Sequence, residues 1–322
     1  MNILFVTSNR IGDAVLSTGL LDHLVTSHPG ARITIACGPL PAPLFARVPG
    51  VERVIPLVKR RHALHWLALW AGCVGRFWDL VVDLRGSGLA WCLVAKTRRV
   101  LGPDRPAAKV HRVARLGALL GLDPPPAPTL WLGPEDEAAA ARAIPPGPPV
   151  LALGPTANWL PKVWPPDRFA ALAQRLTASD GILPGARFAV FGAPDERALA
   201  DPVIAALPAG RVIDLVGRVD LPVAAACFRR AVFYVGNDSG LTHMAAAAGT
   251  PTLGLFGPSP PYHFAPWGSR AAVAVTEVSY ERLVGAADFD HRDTKNLMGS
   301  LTVEMAEAAA RDLWRRCEGR AA

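Results

Sequence analysis

Short apolar runs, each closed by Gly, Pro, Asn or Asp and followed by a stretch of helical periodicity, recur along this chain, and few folds accept that alternation. Strands that alternate with helices build a parallel sheet covered on both faces. In the first half the pattern predicts strands at residues 3–7, 32–37, 53–57 and 80–84, with a helix at residues 14–26. A proline-dense stretch containing PPPAP and IPPGPP interrupts it between Asp123 and Pro149, with one short acidic, alanine-rich helix at residues 135–143 inside. Prolines stiffen such connections and stop helices. The rhythm then restarts, with strands at residues 150–154, 187–192, 212–215, 232–235 and 252–256 and helices at 166–177, 195–207, 221–230 and 240–248. A chain of 322 residues exceeds what one core usually serves. The expected organisation is two open α/β domains, residues 1–147 and 148–302, followed by a C-terminal segment, residues 303–322, that carries a last helix.

Composition narrows the function classes. Hydrophobic residues at 51% and charged residues at 19% suit packed cores and exclude a disordered chain. The five cysteines are scattered and never form a CxxC pair, which speaks against a disulfide framework or a zinc site and for a reducing cytosol. The start, MNILFVTSNR, has no basic leader and its apolar run breaks at Thr7, so it reads as a buried strand rather than a signal peptide. No run approaches the roughly 18 apolar residues of a membrane span, so membrane contact is expected to be peripheral. The formal charge of +7 favours anionic partners: phosphorylated sugars, nucleotides, an anionic lipid surface or nucleic acid. The absence of RNP, KH and zinc motifs argues against nucleic acid. SNRIGD where GxGxxG would follow the first strand argues against a nicotinamide dehydrogenase.

In open α/β sheets ligands bind beyond the carboxyl ends of the strands, so the loops there carry the information. The first is SNRIGDAVLSTGLL, residues 8–21, where Gly12 permits close backbone approach and Asp13 stands at the mouth of a helix, as a helix cap or as a functional acid. The second, GPTANWLPKVWPPDRF, residues 154–169, holds Lys162 between tryptophans, where it either snorkels over apolar surface or neutralises phosphate. The third, VGNDSGLTHMAAAAGTP, residues 235–251, leads from a strand into an alanine-rich helix whose N-terminus is an anion site. Thr242 and His243 fall in its first turn, and His243 on its own reads equally as a core histidine bonded to backbone.

Taken in order, the GD of residues 12–13 before a helix, DLVVDLRG at 79–86, KVWP at 162–165, FGAPDE at 191–196 and NDSGLTHMAAAAGTPTLGLFGP at 237–258 resemble the ADP-heptose:lipopolysaccharide heptosyltransferases, glycosyltransferase family 9. The resemblance runs over most of the chain, and the last motif is its most specific part. It implies a GT-B fold, two Rossmann-like parallel-sheet domains facing a central cleft. The activity implied is inverting, metal-independent transfer of a sugar, heptose, from a nucleotide-diphosphate donor such as ADP-heptose to a lipopolysaccharide core or related surface-glycan acceptor. By the same likeness Asp13 is the catalytic base. Thr156, Lys162, Glu196, Asp238, Ser239, Gly240, Leu241, Thr242 and His243 hold the donor, with Glu196 toward ribose or base. The first domain holds the acceptor, and no resident cofactor or metal is implied. Gly19 departs from the family, whose members often have proline there, and is expected to loosen the first helix.

The stretch KRRHALHWLALWAGCVGRFWDL, residues 59–80, joins Lys59, Arg60, Arg61 and Arg76 with Trp66, Trp70, Phe77 and Trp78. It reads either as a membrane-lying segment or as a first-domain helix with its tryptophans in the core. Gly12, Arg60, Arg61 and Arg105 are the candidates for gripping an acidic acceptor. The expected location is the cytoplasm, with peripheral contact at the inner face of the cytoplasmic membrane. Two other readings compete. DFDHRD at 288–293 contains a DxD beside a histidine, which either binds a metal or forms a solvated loop late in the chain. A non-catalytic nucleotide-sugar binder, or a transferase of the same fold with another sugar, also fits the motifs.

Overall fold

Strand β1 (Asn2–Val6, NILFV) is apolar throughout because both of its faces are covered. Ile3 and Phe5 point into one core with Leu20, Leu21, Leu24 and Leu116, while Leu4 and Val6 point into a second with Leu57, Leu69, Trp78 and Leu89. This computed structural model describes residues 1–59, 61–103, 109–285, 289–290 and 295–318, and the chain divides into two units, Met1–Gly133 and Pro134–Ala322.

In the first unit α1 (Ile11–Leu16) and α2 (Thr18–Ser27) follow β1. Then come β2 (Arg32–Cys37), β3 (Val51–Pro56), α3 (Leu64–Ala71), β4 (Trp78–Asp83), β5 (Ala95–Val100) and α4 (Arg112–Leu119). The strands are parallel and ordered β3-β2-β1-β4-β5. The chain thus builds outward from β1 on one side, then returns to add β4 on the other. The carboxyl ends of β1 and β4 form the switch point where such sheets open a crevice.

The second unit starts with α5 (Pro134–Ala143), followed by β6 (Val150–Gly154), α6 (Pro166–Leu176), β7 (Arg187–Val190), α7 (Arg197–Ala206), β8 (Val212–Asp214) and α8 (Leu221–Arg230). After these come β9 (Phe233–Asn237), α9 (Gly240–Ala247), β10 (Thr252–Phe256), α10 (Pro261–Phe264), β11 (Ala271–Val275), α11 (Tyr280–Val284) and α12 (Val303–Glu318). Its parallel sheet runs β11-β10-β9-β6-β7-β8, with the switch point between β6 and β9. One face buries Phe169, Leu172 and Leu176 of α6 with Ala306, Ala310 and Leu313 of α12. The last helix therefore belongs to the second unit.

Four local expectations differ from the structure. The first helix breaks at Ser17, whose hydroxyl donates to the Ala14 carbonyl at 2.7 Å while Thr18 does the same to Val15. Gly19 does not loosen this helix; it lets the Pro126–Ala127 backbone come so close that a Cβ would overlap it. Strand β5 escaped the pattern because an edge strand reading AKTRRV has no apolar run. The alanine-rich helix, expected within the first domain, packs on α8 instead: Ala140 is buried, Arg229 pairs with Glu137 at 3.0 Å, and Arg230 donates to the Ile144 carbonyl. The division between units thus falls at 133/134 rather than 147/148.

Candidate active site

At the switch point of the second unit, Asn237 ends β9 with its side chain fully buried. Its amide donates to the Pro155 carbonyl at 2.7 Å, and its Oδ1 accepts from the Trp164 backbone N–H at 3.2 Å. The loop after β6 is thereby tied at both ends to the strand beside it. From the other side Asn296 donates to the Val163 carbonyl, and Leu297 N–H donates to the Pro161 carbonyl. Between these ties the turn Leu160–Lys162 carries Lys162, whose Nζ meets Asp238 Oδ2 at 2.6 Å.

Asp238 is 7% exposed and Lys162 21%, and His243, 5% exposed, brings Nε2 to 3.7 Å from the other carboxylate oxygen, an ion-pair distance rather than a hydrogen bond. Burial alone would raise the Asp238 pKa. The imidazole and the Lys162 ammonium outweigh it and hold the carboxyl well below the usual carboxylate range.

The backbone then enters α9 through Ser239, an extended N-cap residue whose side chain makes no capping bond. Two buried polar atoms here have no hydrogen-bond partner among the described residues, Ser239 Oγ and His243 Nδ1. Buried polar atoms are rarely left so, and both lie beside the open N–H groups of a helix N-terminus. Thr242 is fully buried and turns inward, donating to the Asn237 carbonyl at 2.6 Å and meeting the Tyr234 hydroxyl at 3.3 Å. Below the loop, Gly154 and Gly236 are paired across β6 and β9, and a Cβ on either would collide with the Tyr234 hydroxyl. One strand further along, Thr156 Oγ1 donates to Glu196 Oε2 at 2.6 Å and the Ala193 N–H donates to the same oxygen at 3.0 Å. This fixes the carboxylate at the end of β7.

The corresponding place in the first unit is a cavity of about 400 Å³ lined by Ser8, Asn9, Arg10, Asp13, Lys59, His65 and Arg85. Asp13 is the third residue of α1, not its cap, which is Arg10. Its carboxylate forms no hydrogen bond or ion pair among the described residues, and four basic side chains share its cavity. Arg85, directly beyond β4, donates to Asn9 Oδ1 at 2.9 Å and lies 5.4 Å from the Trp66 ring. A larger cavity, about 660 Å³, lies at the end of edge strand β8, but its Asp214 is already paired with Arg197 at 2.9 Å and Arg218 at 3.1 Å. It stands two strands from the switch point and carries no comparable set of unpaired polar atoms.

The structure thus brings Lys162, Asp238, Ser239, Gly240, Leu241, Thr242 and His243 to one switch point, with Thr156 and Glu196 at the neighbouring strand end. Gly12 lies in the first turn of α1. Arg61 is exposed and does not line the Asp13 cavity. Arg60, Arg105 and most of DFDHRD lie outside the described residues; among the described ones no group of His, Cys, Asp and Glu could hold a metal. Sequence reasoning passed over Asn237, Arg10 and Arg85. Their signal was positional, since Asn237 ends β9 while Arg10 and Arg85 lie in the loops that follow β1 and β4, strands that flank the switch points.

The sequence matches the model of glycosyltransferase family 9 (heptosyltransferase) over residues 85–285, well over half of the chain. This chain belongs to that family. The glycosyltransferase is 30% identical to lipopolysaccharide heptosyltransferase 1 of Pseudomonas aeruginosa, covering 81% of this chain and 80% of that one. It is 26% identical to lipooligosaccharide heptosyltransferase 2 of Haemophilus influenzae, over 85% and 88% of the two chains. Among solved structures it resembles the Escherichia coli ADP-heptose lipopolysaccharide heptosyltransferase II, with a TM-score of 0.75, 21% identity and coverage of 99% of this chain and 100% of that one. The glycosyltransferase has the GT-B fold, and none of its described helices is long and apolar enough to cross a membrane.

Proposed function

We propose that this glycosyltransferase moves heptose from ADP-heptose to the inner core of a lipopolysaccharide, with inversion and without a metal. The relatives' names, lipopolysaccharide and lipooligosaccharide heptosyltransferases, support the substrate class. The observation that carries the reading is the pair of unpartnered buried atoms, Ser239 Oγ and His243 Nδ1, at the N-terminus of α9. Such atoms suit a polar ligand, and the N–H groups of Gly240 and Leu241 with the positive end of the helix make a diphosphate the fitting one. Lys162 reaches the same phosphates from its seat on Asp238. Thr156 orients Glu196, whose carboxylate accepts from the ribose hydroxyls.

Asp13 is the general base. In an inverting transfer the acceptor hydroxyl attacks the anomeric carbon opposite the departing diphosphate while the sugar gains oxocarbenium character. One carboxylate takes the hydroxyl proton, and an acid with no partner of its own is suited to that. As the anomeric C–O bond breaks, the bond pair stays on the diphosphate. The Lys162 ammonium and the helix N-terminus stabilise that charge in place of a metal. The basic cavity around Asp13 takes the acidic inner-core acceptor through Arg10, Lys59, His65 and Arg85, with Gly12 allowing close approach. An acceptor of that kind is lipid-linked, which places the enzyme at the cytoplasmic face of the membrane.

A thermal-shift titration tests the donor half. ADP at 100 times its Kd adds about 2.7 kcal/mol to stability. ADP is expected to stabilise the protein more than UDP or GDP, and Ser239→Ala to weaken the ADP shift. Preference for another nucleotide would remove ADP-heptose as donor.

A further inference from the structure

The first unit exposes an apolar face that the sugar chemistry does not use. Leu64, Leu67 and Trp70 follow one another at helical spacing on α3, and Val74 and Phe77 continue the stripe through the turn to β4. Leu67 is 58% and Phe77 53% exposed. The turn Leu89–Cys92 extends this face: Trp70 Nε1 donates to the Cys92 carbonyl at 3.0 Å, and the Trp78 N–H donates to the Val94 carbonyl at 3.0 Å. Trp91, 69% exposed, and Val94, 62%, therefore stand beside Trp70 and Phe77. The turn is held firmly. Arg98 donates to the carbonyls of Ala90, Leu93 and Ala95 while its guanidinium lies 5.8 Å from the Trp91 ring. By contrast Trp78 is fully buried and Trp66 packs near Arg85, so the aromatic residues of this stretch divide between core and surface.

The charges around the face have one sign. No Asp or Glu occurs at residues 53–78 or 84–103. Lys59 and Arg61 precede α3, and Lys96 and Arg99 are exposed on β5, which starts one residue after Val94. The acids that bound this stretch in sequence are engaged, Glu52 with Arg76 at 2.6 Å and Asp79 with the Asn2 backbone N–H at 2.7 Å, and Asp13 lies in the cavity behind Lys59 and His65.

We propose that this face, the outer side of α3 with the Leu89–Cys92 turn, docks on an anionic phospholipid surface. Tryptophan, phenylalanine and leucine ringed by cations is the composition that settles at a bilayer interface, with the apolar side chains among the acyl chains and the cations at the phosphates. A second copy of the chain is the less suitable occupant. Two-fold pairing would set Lys59, Arg61, Lys96 and Arg99 against the same cations with no acid between them. The inference extends the proposed function, because Lys59 and His65 belong both to the approach to α3 and to the Asp13 cavity, so a lipid-linked acceptor enters from the docked side. Binding itself needs neither donor nor acceptor.

The test is sedimentation of the full chain with vesicles of phosphatidylethanolamine and phosphatidylglycerol, compared with phosphatidylcholine alone. The expected result is at least about tenfold preference for the anionic vesicles, declining as salt rises. The double variant Leu67→Glu/Trp91→Glu should lose that binding, yet retain its ADP thermal shift and its ADP release with a delipidated core oligosaccharide. A second measurement leaves the face intact: the exposed Cys92 thiol, labelled with an environment-sensitive fluorophore in a Cys317→Ser background, should shift to the blue on anionic vesicles only. Equal partition into both lipids, unchanged binding by the double variant, no spectral shift at Cys92, or a dimer that the double variant dissociates would each overturn the proposal. Failure of the unaltered protein to bind anionic vesicles, with its acceptor-dependent ADP release intact, would remove the docking face alone. Vesicle binding without any ADP release would instead remove the proposed function.

Discussion

The Lys162–Asp238–His243 cluster and the Asp13 cavity occupy equivalent places, each at the strand ends beside a switch point, yet they are built in opposite ways. In the second unit the charges are buried and compensated, and the Asn237 side chain ties the loop to its neighbouring strand. In the first unit the acid is unpaired in an open cavity among cations. A cradle for a leaving diphosphate has to be in place before charge develops on it, so rigidity serves it. On the proposed reading Asp13 keeps its lone pairs for the incoming hydroxyl, and its surroundings admit an anionic glycan.

The sharpest way to break this contrast is Asp13→Asn. It should lower turnover by about 100 to 10,000-fold while ADP affinity, read by calorimetry, stays at the wild-type value; a parallel loss of ADP affinity would mean that the two sites are not separable. Asp238→Asn should act on stability, costing about 3 kcal/mol in denaturant unfolding near neutral pH because it leaves the partly buried Lys162 without its counter-charge. The sign of its pH dependence follows from the depressed Asp238 pKa. Such a carboxylate contributes stability above its unfolded value of about 4 and loses it as pH falls toward the folded value. The wild type should therefore approach the variant in stability as pH is lowered from about 4 toward 2. A gap independent of pH would show that the carboxylate charge is not what stabilises the loop.

A smaller effect is expected at Lys162→Met. ADP binding should weaken about 30-fold, equivalent to about 2 kcal/mol. Adding Asp238→Asn should restore stability without restoring ADP affinity. Gly236→Ala, which pushes a Cβ against the Tyr234 hydroxyl, should cost about 1 to 3 kcal/mol of stability. Smallest is Arg85→Gln, expected to raise the acceptor KM about fivefold to tenfold with donor KM unchanged, as loss of one contact at an accessible anion site does.

Much of this architecture was legible because buried parallel strands bounded by Gly and Pro declare themselves: β2, β6 and β10 and helix α8 fall where the apolar pattern places them. The pattern failed where tertiary contacts override local appearance. Strand β5 takes its place by pairing with β4 despite three cationic side chains. The proline-flanked α5 looked like part of a linker because nothing local reveals that Ala140 is buried on α8. In the site, the loops were readable as loops, since Gly and Pro mark strand ends. The partnership of Lys162 with Asp238 was not, because it joins residues 76 positions apart and needs β6 and β9 to be neighbours. The same holds for Arg10 and Arg85, which enter one cavity only because β1 and β4 pair.

The most direct test of the central claim is ADP release from ADP-heptose, measured in EDTA with and without a heptose-free inner-core lipopolysaccharide. The account predicts release that depends on the acceptor, persists without divalent metal and falls at least about 100-fold in Asp13→Asn. Release that ignores the acceptor, stops in EDTA or continues at the wild-type rate in Asp13→Asn would contradict it.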